Sequence, residues 1–499
     1  MGYFKYSKLD NSSIILDKYV EEFSVAEVIE VPSVIDGFSV AKINSGCFKN
    51  LLFDGKEIIF PDKNLSILDF AIEGCMNLKK IILGEGNKFG TFIGVTCEIV
   101  NVICASDKQY KKMSLLYKNS LTIYPSIPPR FVFSKLPDGY FITSFYPSSS
   151  DTDVVIPDYF KGEKVIGIYP SVFAKTNISS ITFNNFITHI PEDCFRNCYK
   201  LEHLLNISNI EFIGSNAFAL TKVLNLNFLF MPKLTFIGES AFCYSGVNYF
   251  NPVNSDIDVS PRAFSFSKLK YSDMSLTDIE TIPEGLFMSC TDLEEVSLPV
   301  GTNTIEKTAF KFCNKLRKIY NIDYLKEVGE LSFFGCRKLE AKFDFSKINI
   351  FGRAAFSGVK CPEEIELPTK NLSMGCMQGV IGVKKVKLIG KGPIPKGCFL
   401  SASIQEIELD ENIKVLGDEA FLGCSLKKIN LDNITKVGNR CFAYSLIRKA
   451  SFNNLKKIEG GGLFWGCINL KKISLNSSPL KTIPPDNYTG CISLSSDFS

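Results

Sequence analysis

The chemistry most worth testing in this sequence is at His189, Cys194, Cys198 and His203. Two thiolates and two imidazoles at such spacing could hold zinc tetrahedrally. They include both of the chain's 2 histidines. A second reading competes. In the segment around Phe287 the corresponding places hold Thr281, Leu286, Cys290 and Glu295, so all four residues stand at ordinary positions of a repeat. Packing is therefore expected, with no metal and no cofactor. A cysteine–histidine nucleophile would have to draw on the same two histidines. Gly390–Gly397, GKGPIPKG, lacks the Lys-Ser/Thr ending of a phosphate loop, and Pro393 and Pro395 remove backbone donors. The carboxylate pairs Glu294/Glu295 and Glu406/Glu408 fall on strand-like segments rather than in an acid–base cleft. The expectation is that this chain is not an enzyme.

The elements that position these residues come from a repeat. Gly417–Leu431 reads GDEAFLGCSLKKINL, and GSNAF and GESAF recur at Gly214 and Gly238. An aromatic slot falls at Phe173, Phe195, Phe218, Phe242, Phe264, Phe287, Phe310, Phe333, Phe356, Met377, Phe399, Phe421, Phe442, Phe464 and Tyr488, in steps of 21 to 24 residues. Long forms run F-x-x-C-x-x-L, as at Phe195, Cys198 and Leu201. Short forms lose one residue in the turn, as at Phe173 and Ile178. In the L-x-x-I-x-L piece, Leu426, Ile429 and Leu431 would face inward, with Lys428 and Asn430 outward. So short a strand cannot bury its apolar face alone, but stacked copies can. The expected fold is a mainly β solenoid with one short parallel strand per coil, a phenylalanine ladder inside, and short helical turns on the outer arc.

Composition agrees. Phe is common at 42 while Trp occurs once, as one slot filled repeatedly would produce. Formal charge is +3 over 499 residues, which gives the whole molecule no strong pull toward polyanions. The 17 cysteines cannot all pair internally, and free thiols are expected. One set, including Cys75, Cys198, Cys313, Cys336, Cys424, Cys467 and Cys491, occupies a turn slot. Another, Cys47, Cys376, Cys398 and Cys441, replaces the alanine before the aromatic. The opening residues MGYFKYSKLDNSS show no basic start with an apolar run behind it. No stretch approaches the roughly 20 apolar residues of a membrane span. A cytoplasmic monomer is expected, with unconventional export to the cell surface as the alternative.

The repeat breaks between about Gly84 and Thr152, and both sides begin alike. Ile29–Ile43 reads IEVPSVIDGFSVAKI and Val155–Ile168 reads VIPDYFKGEKVIGI. Short β-like segments, Phe4–Leu16 and Phe131–Phe145, would cap the first coil of each array. Residues 99–124 read as a strand, a short amphipathic helix and a strand. The expected organisation is a short array over 1–124, a linker at 125–130 and a long array of about fifteen coils over 131–499.

One charge pattern stands out. Between residues 380 and 475 there are 16 Lys and Arg against 8 Asp and Glu. On the outward strand positions this yields Lys385, Lys387, Lys428, Asn430, Lys449 and Lys472, interrupted by Glu406 and Glu408. These eight residues are the candidate partner-binding positions on a concave strand face, suited to an acidic protein. No nucleic acid is expected, because base-stacking aromatics are scarce there.

The A-F-x-x-C-x-x-L-x-x-I-x-L core, the opening IPDYFKGEKVIGI and the alternation of long and short forms resemble the BspA-like leucine-rich repeats. The resemblance covers roughly residues 28–83 and 153–494. It implies a leucine-rich-repeat superhelix and the role of that family, surface antigens and adhesins that bind host or partner proteins. Many members carry a signal or an anchor, and neither is evident here. An intracellular protein-interaction scaffold on the same fold is the alternative.

Overall fold

A computed structural model describes residues 3–20, 28–49, 57–61, 63–68, 71–72, 78, 80–84, 86–89, 101–104, 122–125, 131–147, 152–224, 226–340 and 342–495. The chain divides into two compact units, Met1–Lys135 with Ile142–Asp151, and Leu136–Phe141 with Thr152–Ser499.

The first unit opens on an antiparallel hairpin, Tyr3–Lys8 with Ser13–Val20, whose second strand pairs in parallel with Phe38–Ile43 and so covers the first coil. One parallel row then runs Val28–Glu30, Glu57–Ile59, Lys80–Ile82, Asn101–Cys104 and Thr122–Pro125. Phe48, Ile58, Leu78 and Ile81 fill the core beside it. The helix expected within 99–124 lies outside the described residues, and of the linker expected at 125–130 only Pro125 is described, at the end of the strand Thr122–Pro125.

The second unit starts similarly, with Asp153–Val155 and a hairpin of Tyr159–Phe160 and Glu163–Ile168. Lys161 and Gly162 turn it with φ of 52° and 80°, as Asp36 and Gly37 do in the first unit with 50° and 81°. Positive φ at both central residues matches the twist of tight hairpins.

From there each coil is held to the next along three edges. The first is the expected strand row, with segments such as Glu295–Ser297 and Glu406–Leu409 pairing in parallel. It is broken into short sheets rather than continuous. The second is a row of two-residue strands just before the aromatic, such as Thr281–Ile282, Thr304–Ile305 and Glu327–Val328. The sequence reading had one strand per coil; the second row escaped it. The third edge is the turn that carries the aromatic. From the coil of Phe173 to that of Phe464, the residues two before and two after the aromatic slot all have φ between 49° and 84°. Left-handed residues four apart cannot belong to an α-helix. The expected helical turns are accordingly reduced, among the described residues, to three-residue 3-10 turns at Phe228–Phe230, Phe345–Lys347, Thr369–Asn371 and Pro485–Asn487. The alternation instead turns the backbone N–H groups of the flanking residues and of the aromatic toward the next coil. Asp193, Phe195 and Asn197 donate to the carbonyls of Ser215, Ala217 and Ala219 at 2.8–2.9 Å.

Inside, the phenylalanines stack. Phe173 to Phe195 and Phe195 to Phe218 are 5.1 and 5.2 Å between ring centroids and nearly parallel. The ladder continues through Phe242, Phe264, Phe287, Phe310 and Phe333 to Phe356, and resumes from Phe399 to Phe464 beyond Met377.

The glycine four residues before the aromatic has a packing cause in the coil of Phe356. A Cβ on Gly352 would lie 2.3 Å from the backbone N of Glu330 and the carbonyl carbon of Gly329. No side-chain rotation relieves a backbone clash. Gly352→Ala should therefore cost about 1–3 kcal/mol or more in urea melts. Ser260→Ala, at the equivalent slot of another coil, should stay within about 0.5 kcal/mol. Equal costs would show that the approach of the two backbones is not what selects glycine.

Candidate functional site

The four residues that could have formed a zinc site are kept apart by the repeat. Cys194 and Cys198 are buried in the core. His189 sits on the second strand row with its ring against Phe212, and His203 lies on the first row, paired with Ser180. Both imidazoles are exposed. Among the described residues no three His, Cys, Asp or Glu come together as a metal site.

The recurrent cysteines act as weak donors. Cys198 Sγ donates to the carbonyl of Phe173 at 2.9 Å, one coil back. Cys290, Cys313, Cys336 and Cys467 make the same bond to Phe264, Phe287, Phe310 and Phe442 at 3.0–3.1 Å. The cysteines whose side chains are described are free thiols. Burial pushes Cys290, Cys336 and Cys424 up to about 12 and Cys467 to about 11, so they are protonated and poor nucleophiles at neutral pH.

The candidate strand face is built by register. Glu364, Lys385, Glu406 and Lys428 lie side by side on consecutive strands, and Glu366, Lys387 and Glu408 form the next row. Charges alternate across these coils and pair. Lys385 Nζ lies 2.6 Å from Glu408, Lys387 3.2 Å from Glu366, and Lys428 3.7 Å from Glu406. The Glu408 carboxylate holds the Lys385 ammonium above the usual lysine value. Glu364 and Glu366, which supply half of this alternation, precede the lysine-rich stretch and were missed.

Beyond Lys428 the alternation stops. Lys449 pairs in register with Lys472. Lys428, Lys449 and Lys472 begin their strands and Lys427, Arg448 and Lys471 come just before, so three coils present six exposed cations. Lys427 Nζ donates to Gln405 at 3.0 Å. Among the described residues no carboxylate lies within ion-pair distance of Arg448, Lys449, Lys471 or Lys472. Lys427, Arg448 and Lys471 were also missed, although the doubled bases before each inward strand residue are visible in the sequence. Glu406, Glu408, Lys428 and Asn430 line an open groove of roughly 690 Å³ with Ser451 and Asn476. Asn476 Nδ2 donates to Ser451 Oγ at 2.9 Å and to Asn453 Oδ1 at 2.8 Å, fixing the amides along the groove floor.

This geometry of stacked coils has a counterpart in known sequences. The model of the BspA type leucine rich repeat region matches residues 3–123, 143–248, 225–340, 257–380 and 392–497, most of the chain. The chain belongs to the BspA type leucine-rich repeat family. Among solved structures, this BspA-type chain is similar to a leucine-rich repeat protein from Bacteroides ovatus, at 26% identity and a TM-score of 0.57, over 69% of this chain and 92% of that one. A leucine-rich repeat protein of T. pallidum matches at 19% identity and TM-score 0.32, over 45% and 96%. A leucine rich cell surface protein from Faecalibacterium prausnitzii matches at 15% and 0.22, over 99% and 93%. None of the curated protein sequences matches this chain. Among its described residues no helix is long and apolar enough to cross a membrane.

Proposed function

We propose that this BspA-type protein is a non-catalytic recognition module of the adhesin or surface-antigen kind, binding an acidic protein surface along the strand face of its C-terminal coils. The observation that carries this reading is the set of six exposed cations at the strand starts of three successive coils, four of them without a carboxylate neighbour among the described residues. Strand pairing puts Lys449 and Lys472 about 5 Å apart. An extended acidic surface meets several at once. Such contacts mainly speed association and are screened over about 8–10 Å at ordinary salt.

A labelled oligoglutamate peptide should bind at low salt and weaken as salt rises. Replacing Lys428, Lys449 and Lys472 together with Glu should weaken it about tenfold or more while leaving the melt nearly unchanged, because exposed charges contribute little to stability. The control is the same change at Lys391, Lys414 and Lys456, exposed lysines outside the strand row. Equal loss in both triples would remove the strand face from the proposal. Surface labelling of intact cells then decides whether recognition happens outside the cell.

A further inference from the structure

The turn edge carries a second surface, on a different face of the coils. Two residues past the aromatic, the left-handed slot holds glycine in many coils, as at Gly335, Gly358, Gly379, Gly423 and Gly466. Glycine is the residue that conformation favours. Yet four of the five coils from Phe218 to Phe310 place large apolar residues there: Leu220, Tyr244, Phe266 and Phe312, with φ of 56–62°. Bulky side chains in this region are strained. The strain is not repaid by full burial. Tyr244 is 52% exposed and Phe312 41%. Tyr244 and Phe266 stack at 4.5 Å and 10° and, with Phe312, line an open groove of roughly 750 Å³. Leu224, 44% exposed, extends the apolar lining.

The charge of the groove selects the occupant. Lys222 and Lys268 line it and no carboxylate does. Lys268 lies 3.7 Å from Asp292, which also holds Lys315 at 2.8 Å, leaving an excess of positive charge beside the rings. Tyr244 and Phe266 cover one another's facing sides, so those two faces are closed to a sugar ring. Five coils span roughly 19 Å, the length of about six extended residues.

We propose that this groove is a second docking site, and that it takes an extended peptide segment alternating apolar and acidic side chains. The apolar side chains pack against the exposed parts of Tyr244, Phe312 and Leu224, and the carboxylates reach Lys222 and Lys268.

The glycine coils supply the test. Tyr244→Gly, Phe266→Gly and Phe312→Gly in one chain installs the residue used elsewhere at this slot. A labelled eight-residue peptide alternating leucine and glutamate should bind the parent protein and lose about tenfold or more in affinity to the triple variant, whose melting temperature stays equal or rises. Lys222→Glu should weaken the same peptide. The strand-face triple at Lys428, Lys449 and Lys472 should leave it unaffected, which separates this site from the one proposed above. Three results would each overturn the proposal: a lower melting temperature in the glycine variant, which would make the rings structural; equal affinity for a leucine–lysine peptide; or binding of maltoheptaose but not of the acidic peptide.

Discussion

Raising the pH from 8 to 10 is expected to lower this protein's stability steeply. The cause lies in the thiols. An ordinary cysteine ionises near 9.0, whereas burial raises Cys47, Cys290, Cys336, Cys361 and Cys424 to about 12. The folded values lie above the unfolded ones. The thiols therefore contribute their full stabilisation below pH 9 and lose it as the pH climbs toward 12, because only the unfolded chain can release those protons. One pH unit above the ordinary value, each such thiol costs about 1.4 kcal/mol, so the four in the second unit together cost on the order of 5 kcal/mol. Urea midpoints should be flat from pH 6 to 8 and fall steeply beyond 9. Cys398 and Cys441 are raised by burial as well, and they occupy the slot that holds Ala217, Ala241 and Ala309 in other coils. Replacing both with alanine should keep the fold and make the alkaline slope shallower. An unchanged slope would mean that the thiols are not its source.

Phe310→Ala should destabilise the long array by about 3–5 kcal/mol in urea melts at neutral pH. Phe310 is fully buried, stacked 5.5 Å from Phe287 and 5.3 Å from Phe333. Its N–H and carbonyl are committed to Ser332 and to the Cys313 and Cys336 groups, so the backbone cannot collapse into the space the ring leaves. A solenoid coil touches only its neighbours, so the lost contacts have no distant substitutes. A loss below about 1 kcal/mol would show that the ring is not a core element.

The phenylalanine ladder, the cysteine turn slot and the first strand row could be read from the sequence because each demands one kind of side chain at one place. The second strand row and the left-handed turn could not. Their bonds are made by backbone, and the slots around the aromatic accept Asp193, Arg440, Leu331 and Tyr444 as well as glycine. The strand-face positions were also readable, since Lys428, Lys449 and Lys472 precede inward residues of a known period. Their electrostatics were not. Whether a lysine is paired depends on the coil beside it, about twenty residues away, as Lys387 with Glu366 and Lys385 with Glu408 demonstrate.

The turn edge has an electrical consequence. The peptide group joining Cys194 to Phe195 accepts from the N–H of Phe173 and donates to the carbonyl of Ala217, and Ala217–Phe218 passes the bond on to Ala241. Peptide groups are thus joined head to tail along the solenoid axis, as they are along an α-helix, though every link comes from a different coil. Each carries about 3.5 D, and aligned units polarise one another. In the strand rows, donors and acceptors point both ways and largely cancel. The turn edge therefore makes the array a macrodipole without a helix. Its positive pole faces the C-terminal coils, where the doubled lysines also gather.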